Sequence, residues 1–214
     1  MNKRHIVCFG DSNTWGYNAQ TGARYDDDVR WTRRLAALLG EEYMVLEEGV
    51  SGRTTVFEDP LFEGLCGYAA LATTLFTHSL LSLLVIMLGT NDCKERFSAT
   101  PQNIADGLQR LLVKAKGMDV WADKPRILAV APMAMDPRVY EVERICDEMG
   151  ARSVEKSLAL PRLIQKAAFQ SGCYYLDCNS YVTPGTGDYM HFDLDSNRRF
   201  AAAMAETIRD IFSE

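Results

Sequence analysis

The sequence predicts an α/β fold: a three-layer α/β/α sandwich on a five-stranded parallel sheet in flavodoxin-like order. Two observations predict it. Short apolar runs alternate along the chain with longer amphipathic ones, the pattern of strand–helix–strand units packed on both faces of a sheet. The run from Leu83 to Leu88 is also almost wholly apolar, as a strand covered on both faces should be.

Taken in order, Ile6 to Phe9 is the first strand, stopped by Gly10. Trp31, Leu35, Leu38 and Leu39 then fall at helical spacing, with Gly40 as the C-cap. Tyr43 to Glu47 is the second strand, and His78 closes a helix ahead of the third, Leu83 to Leu88. Ile104, Leu108, Leu111, Leu112 and Ala115 mark one face of a helix that runs into Gly117. Arg126 to Ala131 is the fourth strand, ended by Pro132. Residues 139–170 read as helical, and Pro161 is expected to kink or divide that stretch. Tyr174 to Leu176 is a short fifth strand, and the last helix presents Phe200, Met204, Ile208 and Ile211. No repeat, low-complexity tract or Pro/Gly/Ser-rich linker interrupts the chain, so one domain over 1–214 is the simplest organisation.

Composition narrows the function. With 47% hydrophobic and 24% charged residues, the 214-residue chain is an ordinary globular protein. Its 23 Lys plus Arg against 29 Asp plus Glu leave a net charge of −6, which offers no footprint for nucleic acid or anionic lipid. No apolar stretch is long enough for a bilayer, and Ile6 to Phe9 is too short for a secretory signal, so the expectation is a soluble, cytoplasmic protein. The six cysteines form no C-x-x-C pair and no zinc-type cluster with histidine; reduced thiols are expected, with Cys8 and Cys173 as small hydrophobes in strands. The phosphate loop, the dinucleotide fingerprint after the first strand and the G-x-S-x-G elbow are all absent.

Chemistry is sought at the carboxyl ends of the strands, where open α/β sheets bind ligands. Two long loops leave that edge, residues 10–29 and 49–67. The first opens with Gly10-Asp11-Ser12-Asn13-Thr14, in which Ser12 is placed as a nucleophile would be, although the pentapeptide alone favours a helix N-cap. Of three histidines, His5 and His78 belong to the opposite edge, whereas His191 follows the fifth strand. Asp188 precedes His191 by one turn, close enough to orient an imidazole. Asn91, in Gly89-Thr90-Asn91-Asp92, brings an amide donor to the end of the third strand, and Gly52 offers a backbone N–H after the second. With the N–H of Ser12 these make three donors for a developing oxyanion. Asp188, His191 and Asp193 also fit a metal site, but no further ligand cluster supports one; the reading carries no metal and no cofactor.

Gly10-Asp11-Ser12, Gly52, Gly89-Thr90-Asn91-Asp92 and Asp188-Tyr189-Met190-His191 resemble, in order, the four blocks of the SGNH hydrolases, the GDSL esterase/lipase family. Asp28-Val29-Arg30-Trp31, the stretch from Glu47 to Thr55, and Ile86 to Asp92 are similar to the bacterial arylesterase/acyltransferase branch. The resemblance implies a flavodoxin-like serine hydrolase with Ser12 as nucleophile, His191 as base and Asp188 as its partner. Ser12, Gly52 and Asn91 would form the oxyanion hole. It further implies small ester substrates with short acyl chains, possible transfer to alcohols, and a homo-oligomer; some relatives deacetylate sugars. A non-catalytic binding protein on the same fold is the rival from another class.

Two departures stand out. Asn13 occupies a position where the family usually has an aliphatic side chain, and the segment 132–152, of a kind that helps build the acyl pocket in this branch, has no motif to anchor it. Asp11, Trp15 and Arg53 are carried as candidate substrate contacts. Each has a plainer reading: Asp11, like Asp92, as a turn former, Trp15, like Tyr17, as packing within its loop, and Arg53 as a loop brace.

Overall fold

The computed structural model describes residues 3–214. Strands β1 (Arg4–Gly10), β2 (Tyr43–Gly49), β3 (Leu81–Met87), β4 (Ile127–Ala131) and β5 (Tyr174–Asp177) form one parallel sheet in the order β2-β1-β3-β4-β5. The helices are α1 (Ser12–Trp15), α2 (Trp31–Leu39), α3 (Gly67–Thr77), α4 (Pro101–Lys116), α5 (Glu143–Met149), α6 (Ser153–Gln170) and α7 (Leu194–Ser213).

Side-chain alternation along the strands builds two cores. Val7 and Phe9 of β1, Leu84 and Ile86 of β3, and Ile127 and Ala129 of β4 face one layer, with Leu71 and Leu75 of α3, Leu108 and Leu112 of α4, and Leu160 and Ile164 of α6. Ile6 and Cys8, Leu83 and Val85, and Leu128 and Val130 face the other, with Trp31 and Leu35 of α2 and Phe200, Met204 and Ile208 of α7. Burying each such Leu, Ile or Phe contributes about 1.5–3 kcal/mol, and this two-sided burial is why Ile6 to Phe9 of β1 and Leu83 to Met87 of β3 are apolar throughout.

The expected order of strands is the observed one, and the register sets the site. Gly10 pairs with Gly49 and with Met87, so β1, β2 and β3 release their chains at the same level. Successive connections leave β1 toward β2 and return to β3 on its other side, which opens a crevice at the carboxyl ends of β1 and β3.

One expectation fails. The stretch 139–170 is divided at Gly150–Arg152 and not at Pro161. Residues Pro137–Glu141 make a tight 3₁₀ turn, α5 follows, and Gly150 (φ 70°) and Arg152 (φ 65°) adopt left-handed conformations that end it. Helix α6 then runs unbroken through Pro161. Leu160 and Ile164, both fully buried in the core, lock the helix on either side of the proline, and Tyr175 donates its hydroxyl to the Pro161 carbonyl at 3.0 Å. Tertiary packing outweighs the backbone hydrogen bond that proline forfeits.

Candidate active site

The turn that carries Ser12 is set by backbone packing. Asp11 is the N-cap of α1 and accepts the Asn13 N–H at 3.0 Å, so the capping role belongs to Asp11 and not to Ser12. One turn later Gly16 closes the helix. The turn rests on Gly49: a Cβ there would lie 2.2 Å from the Trp15 backbone nitrogen, so only glycine lets α1 sit against the end of β2. Ser12, at the first position of α1, is left with its hydroxyl 2.8 Å from Nε2 of His191.

His191 is held in turn by Asp188. Its Nδ1 lies 2.6 Å from Asp188 Oδ2, while Oδ1 accepts the backbone N–H groups of Met190 (3.1 Å) and His191 (3.0 Å). Burial pushes the Asp188 carboxyl up, but the hydrogen bonds from the His191 ring and backbone outweigh burial and hold it below the usual range. The carboxylate therefore stays charged and orients the ring so that Nε2 faces Ser12. The Tyr17 ring, 4.6 Å from the imidazole, packs against it from the loop after α1.

Three candidate donors line the same cleft. Neither the Ser12 nor the Gly52 N–H has an acceptor among the described residues, and both residues line the cleft with Asn91. Gly52 is at φ +88°, a left-handed conformation suited to glycine. The Asn91 amide donates one hydrogen to the Arg53 carbonyl at 3.2 Å, which fixes the side chain and leaves its second N–H for a ligand. The cleft encloses about 250 Å³, below the range typical of sites for drug-sized ligands, with Phe62, Leu65, Ile145 and Met190 as apolar walls.

The candidate substrate contacts lie elsewhere. Arg53 is buried; its Nη1 donates to the carbonyls of Gly10 (3.0 Å) and Glu48, and its guanidinium stacks 4.0 Å over Phe9. It ties the ends of β1 and β2 together. Arg24 lies over Trp15, 5.4 Å from the ring centroid, Asp11 caps α1 through Oδ1, and none of the three lines the cleft. The plainer reading of each holds. Conversely, Asn13 does more than its aliphatic counterpart would. Its carbonyl accepts from Trp31 Nε1 (3.0 Å) and its Oδ1 from the Phe192 N–H (2.9 Å), joining the Ser12 turn to the segment that carries His191. The departure at position 13 was the signal, though not the partner. Lys94, Arg144, Ile145 and Glu148, which also line the cleft, carried no signal of their own.

Asp193 caps α7 through the Ser196 N–H at 2.8 Å. No group of three or more His, Cys, Asp or Glu side chains among the described residues is placed to hold a metal ion. Among the described residues no helix is long and apolar enough to cross a membrane. All six cysteines are unpaired, Cys8 and Cys173 among the five that are buried.

Two carboxyls beneath the site are strained by burial. Burial pushes both Asp11 and Asp92 up to about 6 from 3.8, against the hydrogen bonds each receives, from Asn13 and from Thr55 respectively. A carboxyl with a raised folded value keeps its proton where the unfolded chain has lost it, so stability falls as pH rises through roughly 4 to 6. Asp92→Asn should remove part of that slope. Thermal melts of both proteins at pH 4 and pH 6 should show the wild type losing ground to the variant; parallel curves would count against buried titration.

The arrangement has the parts that acyl transfer needs: a hydroxyl, an imidazole aligned on it by a carboxylate, and N–H donors lining the same cleft. Comparison with known proteins agrees. The model of the GDSL-like lipase/acylhydrolase family matches residues 8–202. An aryl esterase from M. smegmatis is 35% identical over 97% of this chain and 99% of its own, with a TM-score of 0.85. Est24, a carbohydrate acetylesterase from Sinorhizobium meliloti, is 32% identical over 98% and 100%, with a TM-score of 0.89. A lipase/acylhydrolase from Enterococcus faecalis, 20% identical with a TM-score of 0.68 over 97% and 96%, shares the fold. A search of the curated proteins found no match. The four motif blocks, the sheet order and these relatives lead to one assignment: the chain belongs to the GDSL-like lipase/acylhydrolase family, the SGNH hydrolases.

Proposed function

We propose that the protein is a serine esterase that cleaves small short-chain acyl esters through an acyl-enzyme on Ser12. The observation that carries this reading is the continuous relay from Ser12 to His191 (2.8 Å) to Asp188 (2.6 Å) beside two unpartnered backbone N–H groups. As Ser12 Oγ bonds to the ester carbonyl carbon, its proton passes to His191 Nε2. The carbonyl oxygen becomes an oxyanion held by the N–H groups of Ser12 and Gly52 and the Asn91 amide. Collapse expels the alcohol, which takes the proton from His191. Water, or a second alcohol, then repeats the sequence on the acyl-enzyme and frees Ser12.

The test is hydrolysis of p-nitrophenyl acetate, butyrate and octanoate, with and without EDTA. Activity on the short esters that EDTA leaves intact supports the proposal; activity that needs a metal, or none on any ester, rejects it. Asn91→Ala should lower kcat by about 10²–10³, the usual loss for one oxyanion donor. Full activity in that variant would remove Asn91 from the hole.

The S. meliloti relative favours a second reading on the same machinery, deacetylation of a sugar. A higher kcat/KM on acetylated sugars than on aryl acetates would select it. The resemblance also supports a homo-oligomer, and sedimentation at micromolar concentration decides that point.

A further inference from the structure

Three charged side chains line the cleft: Lys94, Arg144 and Glu148. Two of them cancel. The Lys94 ammonium is buried, with Nζ 2.7 Å from Glu148 Oε1. The nearby Asp188 carboxylate is engaged by His191. Arg144 has no such match. Its Nη2 donates to the neutral Tyr17 hydroxyl at 3.2 Å, and among the described residues no carboxylate forms an ion pair with it, although Glu143, Asp147 and Glu148 share α5.

The position of this charge is specific. Arg144 holds the Tyr17 hydroxyl, and the Tyr17 ring packs on His191. The guanidinium therefore stands on the imidazole side of the cleft, where the alcohol departs with the proton from Nε2. The other cation lining the cleft, Lys94, is already neutralised by Glu148. Resting on the esterase reading above, we infer that the preferred substrates are esters whose alcohol portion carries an anionic group, a carboxylate being the simplest, and that Arg144 receives it. A hydroxy acid or an acidic sugar bearing a short acyl group has this chemistry. Arg144 suits the task because its planar fork can donate to a carboxylate through one edge while keeping the tyrosine hydroxyl on another.

The experiment compares ratios of kcat/KM within matched pairs, in wild type, Arg144→Gln and Arg144→Glu. The first pair is 4-acetoxybenzoate and its methyl ester, with the charge on the alcohol side. The second is 4-nitrophenyl hydrogen adipate and 4-nitrophenyl hexanoate, with the charge on the acyl side. Any loss that reaches His191 through Tyr17 strikes both members of a pair and cancels in the ratio.

In the first pair the anion-to-neutral ratio should fall about three- to fivefold in Arg144→Gln at low salt, and further in Arg144→Glu. The wild-type ratio should also shrink as sodium chloride is added. The adipate ratio should hold steady in Arg144→Gln. If neither ratio moves in Arg144→Glu, or only the adipate ratio moves, the inference is overturned. Failure of the wild type to cleave either neutral ester is a separate result, which rejects the esterase reading and this inference with it.

Discussion

Ser12→Ala should lower kcat on p-nitrophenyl acetate by on the order of 10⁴–10⁶ while leaving a folded protein. In the proposed mechanism the Ser12 hydroxyl forms the covalent intermediate, so its loss removes the pathway and not merely a contact. What remains is direct attack by water, aided by the donors around the cleft. The variant should also lose the stoichiometric burst of p-nitrophenol that marks acylation. Its melting temperature should stay close to that of the wild type, because the change deletes one oxygen at a site capped by Asp11 and seated on Gly49. A burst of unchanged amplitude in Ser12→Ala would place the nucleophile elsewhere.

Asp188→Asn should cost about 10⁴ in kcat through a change of tautomer. The carboxylate has two tasks: Oδ1 accepts two backbone N–H groups, and Oδ2 faces His191 Nδ1. An asparagine oxygen can keep the first task, which places its amino group against Nδ1. Two N–H donors cannot face each other at that distance, so the ring proton moves to Nε2, which then cannot accept the Ser12 proton. Acylation and turnover should slow together, with the loop intact by thermal melt. An Asp188→Asn enzyme within tenfold of wild type would show that the imidazole needs no carboxylate here.

Much of this architecture is legible in the chain because it is written locally. Val7 to Phe9 and Leu83 to Met87 are apolar at every position, and such strands have few other places to go than the middle of a covered sheet. The spacing of Asp188 and His191 fits one turn of chain, and the sheet edge they share with Ser12 follows from strand order. The parts that escaped depend on partners distant in sequence. Pro161 is a local signal to stop a helix, and it is overruled by Leu160 and Ile164 seated in a core that no window around them reveals. Arg53 is a charge beside a motif, so it reads as a ligand contact until Phe9 and the carbonyls of Gly10 and Glu48 are seen to occupy it. Tyr17 and Arg144 meet across 127 positions, a distance at which periodicity says nothing.

The left-handed bend at Gly150–Arg152 separates two kinds of inheritance. The residues that would make and break bonds come from the ends of β1 and β3, from the loop after β2 and from the turn before α7. The seven residues of α5 lie just ahead of the bend, which is docked where the Ala151 N–H meets Glu95 Oε2 at 3.0 Å. They supply Arg144, Ile145 and Glu148 to the wall and nothing to the relay. Selection can therefore rewrite what the cleft admits by changing one short helix while the reacting atoms stay untouched. A library confined to position 144 would sample new specificities at little risk to the fold, whereas Ile145 is packed in the core and Glu148 holds the charge of the buried Lys94.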